Sequence, residues 1–422
     1  MKEVALGLFL LNYALLIAFP MVRAYIALTT ATIFVVLGIL PVGQVFGAID
    51  WNVLMMIGGT MGIVGLFIDS KMPARMADVL IDKMPDMKWA IIALAIFAGV
   101  ISAFIDNVAT VLMVAPVALT IARKLNISPV PSIICIAISS NLQGAATLVG
   151  DTSSILLGGF ANMDFMDFIF FQGKPGLFFA VQTGMLASTL ILYLIFRKET
   201  QPIKLEGKET VNDYFPSYLL LSMVLLLILA SFIPERPRIT NGLICVSLFL
   251  LGLIRDIIKN RELGLFKKRI AEIDYFTILL LAGLFVVIGG IVEVGIVDMI
   301  SMLFVQLTGD NIFLIYTLIV WASVFFSAFI DNIPYVATML PVVASIANTV
   351  GTEPYLLYFG LLSGATLGGN ITPIGASANI AGIGILRKAG YNVSFFEFFK
   401  YGLPFTLAAT TAGYLFIWFF WR

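Results

Sequence analysis

The chain has 422 residues, 60% of them hydrophobic and 12% charged, with a mean hydropathy of +1.03. That balance excludes a water-soluble globular protein and points to a polytopic helical membrane protein. The 25 Lys and Arg balance 25 Asp and Glu, which offers nucleic acid no handle, and the absence of histidine excludes a Ser-His-Asp triad, a histidine zinc site and an imidazole proton relay.

Apolar runs fall at about 4–20, 24–40, 51–68, 89–105, 108–122, 130–160, 175–196, 217–233, 239–254, 275–296, 311–330, 333–350, 355–383 and 401–421. The first, Val4 to Phe19, lacks a basic start and a small-residue cleavage site, so it reads as a retained helix and not a signal peptide. Asp50 and Asp274 stand directly before two matching runs and read as helix N-caps. Segment 71–88 reads as an amphipathic helix at the membrane surface. The stretch 197–216 is the one long polar segment and reads as a cytoplasmic linker, and the basic run 255–269 as a solvated loop near anionic lipid. Cys135 and Cys245 lie in apolar runs and read as small core residues.

One hexapeptide, Ser-Ala-Phe-Ile-Asp-Asn, occurs at 102–107 and again at 327–332, a separation of 327 − 102 = 225 residues. At the same offset Pro116 matches Pro341, Ile121-Ala122 matches Ile346-Ala347, and Thr147-Leu148-Val149-Gly150 aligns with Thr372-Pro373-Ile374-Gly375. The expected organisation is therefore two repeats, 1–196 and 217–422, joined by the linker. The apolar runs that meet at each hexapeptide are short. They read as re-entrant hairpins over 89–122 and 311–350, each with Asp-Asn at its tip. The runs 130–160 and 355–383 carry glycine, hydroxyl and amide residues and read as helices broken near mid-membrane. The expected fold class is all-α and polytopic, an inverted-repeat transporter with two hairpins and two broken helices. With loops 69–88, 197–216 and 255–273 placed in the cytoplasm, that side collects 20 of the 25 Lys and Arg. Only Lys2, Lys174, Arg236, Arg238 and Arg422 fall outside, with both termini. The first hairpin then opens inward and the second outward.

A carboxylate at membrane depth is costly and marks a site. Asp106 and Asp331 read as cation ligands or proton carriers, against the competing reading of N-caps alone. Asn107 and Asn332 follow them, and their amides can ligate Na⁺ or hold substrate beside a half-helix N-terminus. Ser102 and Ser327 open the two motifs, and Thr110 is replaced by Tyr335 in the second copy. The first broken helix offers Thr147, Gly150 and Asp151, followed by Thr152, Ser153 and Ser154. The second offers Asn370, Thr372, Gly375, Ser377 and Asn379. Taken singly, such residues often only permit close packing; the recurrence of the cluster in both halves favours a site. Asp151 aligns with Ala376, which makes it a third candidate for coupling, with Asn141 and Gln143 as polar neighbours.

The segments DNVATVLMVAPV (106–117), NLQGAATLVGD (141–151), DNIPYVATMLPVV (331–343) and GGNITPIGASANI (368–380) resemble the ion transporter superfamily. Within it they are most similar to the arsenite-permease, P-protein and citrate-transporter-like group, with the D-type sodium/proton antiporters close by. The resemblance implies a dimeric elevator-type carrier with a scaffold domain and a transport domain. In the dicarboxylate carriers of that superfamily the tips carry Ser-Asn-Thr; here they carry Asp-Asn, which sets negative charge where those carriers hold a carboxylate.

The expected function is an ion-coupled secondary transporter in the cytoplasmic membrane, multi-pass, carrying a small anion (arsenite, citrate or a dicarboxylate) with Na⁺ or H⁺. A sodium/proton antiporter of the same superfamily is the alternative. No enzyme activity is expected, nor any cofactor beyond the coupling ion. The expected partners are lipid, the transported ions and a second copy of the chain. Two other classes compete. An intramembrane aspartyl protease would pair Tyr-Asp with Gly-x-Gly-Asp, whereas here the contexts are Ile-Asp-Asn twice and Leu-Val-Gly-Asp. A passive channel would differ in flux rate and lack of coupling.

Overall fold

The computed structural model describes residues 1–124, 127–202, 209–261 and 264–422. Residues 203–208 of the linker, with Lys204 and Lys208, lie outside that set, as do 262 and 263 of the basic run. The first half contains α1 (Lys2–Ala18), α2 (Arg23–Val36), α3 (Val42–Ala48), α4 (Trp51–Asp69), α5 (Met72–Ile81), α6 (Met87–Ser102), α7 (Asn107–Lys124), α8 (Val130–Gly144), α9 (Thr152–Ala161) and α10 (Leu177–Phe196). The second contains α11 (Phe215–Ser231), α12 (Thr240–Asn260), α13 (Gly264–Ala271), α14 (Tyr275–Glu293), α15 (Ile296–Thr308), α16 (Ile312–Ser327), α17 (Asn332–Val350), α18 (Tyr355–Gly368), α19 (Ser377–Lys388) and α20 (Phe395–Trp421). A short antiparallel ribbon, β1 (Phe170–Phe171) with β2 (Lys174–Pro175), and an isolated antiparallel bridge between Asp86 and Pro202 are the β-structure among the described residues. Six described helices, α4, α10, α12, α14, α17 and α20, are long and apolar enough to cross a membrane.

Local chemistry sets the helix ends. Asp50 caps α4 by accepting from the Val53 N–H at 3.0 Å, and Asp274 caps α14 by accepting from the Thr277 N–H at 3.1 Å. Asp86 does the same for α6 and Ser394 for α20. The segment expected to be amphipathic becomes α5, and the run beyond 296 adds a separate helix, α15, after a left-handed glycine at Gly295.

Packing repeats along the chain. A Cβ on Gly59 of α4 would come within 2.5 Å of the Cys245 backbone in α12; one on Gly283 of α14 would come within 2.8 Å of the Ala27 backbone in α2. These glycines let two helix pairs, α4–α12 and α2–α14, touch backbone to backbone. α6 packs on α8, α16 on α18, and α10 on α20, which joins the halves. Cys135 and Cys245 are free thiols with no exposed surface.

Candidate functional site

Each hexapeptide ends a helix and starts another. Between α6 and α7 the chain turns at Ala103–Asp106, and between α16 and α17 at Ala328–Asp331. Both aspartates cap the helix that follows. Asp106 Oδ1 accepts from the Val108 and Ala109 N–H groups at 3.0 and 3.2 Å, and Asp331 Oδ1 from the Ile333 N–H at 3.2 Å. The second oxygen of Asp331 accepts from Arg23 Nη1 at 2.6 Å and from the Ser377 hydroxyl at 2.8 Å.

The breaks in α8–α9 and α18–α19 are stitched to the tip of their own half. Thr147 donates to the Ala103 carbonyl and Thr372 to the Ala328 carbonyl, equivalent contacts 225 residues apart (372 − 147 = 225). The glycines beside them leave no room for a side chain. A Cβ on Gly150 would lie 2.7 Å from the Ser102 carbonyl oxygen, and one on Gly375 2.9 Å from that of Ser327.

Between the halves runs a buried chain of amides. Asn107 Nδ2 donates to Asn141 Oδ1 at 2.8 Å, and Asn141 Nδ2 donates to Asn370 Oδ1 at 2.8 Å and Asn379 Oδ1 at 3.1 Å. Asn370 donates onward to the Ile138 carbonyl, and Asn379 to the carbonyls of Gly369 and Thr372. A second crossing joins Asn332 Nδ2 to Asp151 Oδ2 at 3.0 Å. Asp151 is only 3% exposed. Such groups are tolerated in a dry interior because they satisfy one another.

The geometry thus draws together Asp106, Asn107, Asn141, Thr147, Gly150, Asp151, Asp331, Asn332, Asn370, Thr372, Gly375, Ser377 and Asn379. Four candidates do otherwise. Gln143 exchanges hydrogen bonds with Gln182 of α10 at 2.9 and 3.0 Å, because two residues along a helix turn it about 200° away from Asn141. Thr110 donates to its own helix at the Asp106 carbonyl and Ser327 to the Ala365 carbonyl, while the Ser102 hydroxyl is buried without a partner. Arg23 is the residue that sequence reasoning missed, since it counted only as a loop cation. Its signal was position: it is the one basic residue between the first two apolar runs. Among the described residues no three His, Cys, Asp or Glu cluster as metal ligands.

Away from the tips, a cleft of about 980 Å³ runs from Asp50 and Asn52 past Arg236 and Asp164 to Leu148 and Leu340. It reaches the back of the first break.

A helical bundle broken at two matched places, with polar groups crossing between them, is the architecture of a membrane transporter. The YdaH transporter of Alcanivorax borkumensis shares the fold, with a TM-score of 0.61 and 13% identity, over 89% of this chain and 86% of that one. MtrF of Neisseria gonorrhoeae matches with a TM-score of 0.55 and 16% identity, over 94% and 84%. The model of the citrate transporter family matches residues 13–364, and the chain belongs to that family. An uncharacterized transporter of Mycobacterium tuberculosis is 32% identical over 99% of this chain and 98% of its own length. The human P protein is 27% identical over 86% of this chain and 53% of its own length. The resemblance read from the hairpin and broken-helix motifs points to the same group.

Proposed function

We propose that the protein is an ion-coupled secondary transporter of a small anion, such as citrate, a dicarboxylate or arsenite, working by alternating access in the cytoplasmic membrane. The observation that carries this reading is the buried amide chain from Asn107 through Asn141 to Asn370 and Asn379, flanked by Asp106, Asp151 and Asp331. The half-helix N-termini suit an anion, and the amides offer it their donors once the chain between them opens. The carboxylates suit Na⁺ or H⁺, and their charge must be met before the anion sits beside them. In this reading the two repeats are inverted, and the hairpins and broken helices form a transport domain that moves against the remaining helices of a homodimer. Both termini lie outside, as the charge bias of the loops favours.

The test is uptake of labelled citrate, succinate and arsenite into proteoliposomes under imposed Na⁺ or proton gradients. Gradient-driven accumulation that is lost in Asp106→Asn supports the proposal. A second reading, sodium/proton antiport, is favoured by the number of carboxylates at the crossing. Proton movement on Na⁺ addition with no anion present would establish it instead.

A further inference from the structure

The two tips have the same sequence and different neighbours. Asp331 is held by a cation, and α17, the helix it starts, is held by a residue from outside the hairpin. Besides the Arg23 contact, the Tyr13 hydroxyl donates to the Pro334 carbonyl at 2.7 Å and shares a hydrogen bond with Thr338. The first tip has no such clamp. Among the described residues Asp106 meets no cation, and α7 makes no hydrogen bond to α11 or α12, the helices that correspond to α1 and α2.

Arg23 cannot follow Asp331 far. It is the first residue of α2, and α2 lies backbone to backbone on α14 at Gly283, with Ala24 and Ala27 sealed against Leu280 and Leu284. Among the described residues the Nε of Arg23 is buried without a partner, and Asp331 is the one carboxylate that it touches. If the second hairpin moves relative to α2, this pair must open. Opening it with nothing in exchange strands two opposite charges in a largely buried place. A cation bound at Asp331 removes that penalty on the hairpin side. On the other side Asp274, fixed at the start of α14, lies within electrostatic range of Arg23.

We propose that Arg23 is the residue that enforces coupling: it occupies Asp331 in place of the transported cation, and Na⁺ must displace it before the second hairpin can leave α2. The ligands that Na⁺ would inherit are oxygens, Asp331 Oδ2 and the Ser377 hydroxyl, as a hard cation requires. This inference rests on the transporter reading above. It adds that a positively charged side chain lowers cation affinity by competition, so that its removal tightens Na⁺ binding and loosens coupling.

The experiment uses the purified full-length chain and reads thermal stability against Na⁺ concentration, with K⁺ as the control. Binding of Na⁺ to the folded state raises stability with concentration. Arg23→Gln is expected to lower the Na⁺ concentration for half-maximal stabilisation by about 10-fold or more, since the competing state is removed. Arg23→Lys is expected to fall between the two. In proteoliposomes Arg23→Gln is expected to carry anion without Na⁺ accumulation. An unchanged or raised Na⁺ requirement in Arg23→Gln, while Asp331→Asn abolishes the Na⁺ response, overturns the role of Arg23 and leaves the transporter reading standing. A Na⁺ response that survives in Asp331→Asn, or its absence from the parent protein, overturns the inference at its first step. Gradient-driven anion uptake measured in parallel then decides separately whether the transporter reading survives. Should Arg23→Gln fail to fold, the double variant Arg23→Gln/Asp331→Asn, which buries no unpaired charge, isolates the fault: the inference needs it to fold and to ignore Na⁺.

Discussion

Asp106 and Asp331 lie in the same hexapeptide, 331 − 106 = 225 residues apart, and both cap the helix after the turn. One faces no cation among the described residues, and the other is gripped by Arg23. The broken helices diverge in the same way. Asn141 aligns with Thr366, Asn370 with Ala145, Asp151 with Ala376, and Asn379 with Ser154. Backbone contacts are preserved between the halves, while the side chains at the crossing are exchanged for others. The two halves therefore share a frame of matched backbone contacts around side chains that differ. The Asn332–Asp151 bond has no counterpart at Asn107, which turns to Asn141 instead.

The sharpest probes of that division test the frame first. Gly150→Ala and Gly375→Ala should both prevent stable folding, because each new methyl meets backbone oxygens under 3.0 Å away; a loss of about 3 kcal/mol or more is expected, read as loss of monodisperse protein on size exclusion. If one half tolerates the methyl and the other does not, the frame is not symmetric. Asn141→Ala should come next. It leaves Asn107, Asn370 and Asn379 short of partners, at about 3 kcal/mol in melting experiments, and should abolish transport, whereas Thr366→Ala at the matching position should be near neutral. The tips themselves should separate: Asp331→Asn strands Arg23 and should cost about 2 kcal/mol, while Asp106→Asn should cost under about 1 kcal/mol. Equal losses at the two tips would erase the asymmetry.

The smallest effect lies at the joint between halves. Burial pushes the Asp213 carboxyl up, but hydrogen bonds from Arg255 at 2.5 Å and Lys259 at 2.9 Å outweigh it and hold the group below the usual carboxylate range. A depressed carboxyl contributes stability at neutral pH and loses it as pH falls through the ordinary carboxylate range and below. Asp213→Asn should therefore flatten the acid limb of a stability–pH curve by about 0.5 kcal/mol, leaving transport unchanged.

Much of this was legible from the chain itself. Local rules place the helix starts at Asp50, Asp106, Asp274 and Asp331, because a capping carboxylate acts within three residues of itself. The glycine- and hydroxyl-rich stretches announced the two breaks. Two things were hidden. Arg23 meets Asp331 across 308 residues, and nothing local to either marks the other. Gln143 looked like a neighbour of Asp151, but helical phase turned it toward Gln182. Topology decides such pairs, and a repeat shows which backbones correspond without showing which side chains meet.

The amide chain through Asn141 has one further consequence. Carboxamides carry no net charge, so this link neither titrates nor weakens as salt screens charge. The grip between the two broken helices is thus the same in dilute buffer and in brine, in acid and in alkali. Within the crossing, changes of ionic strength or pH in the surroundings act on the aspartates and Arg23, while the amide link beside them keeps its shape.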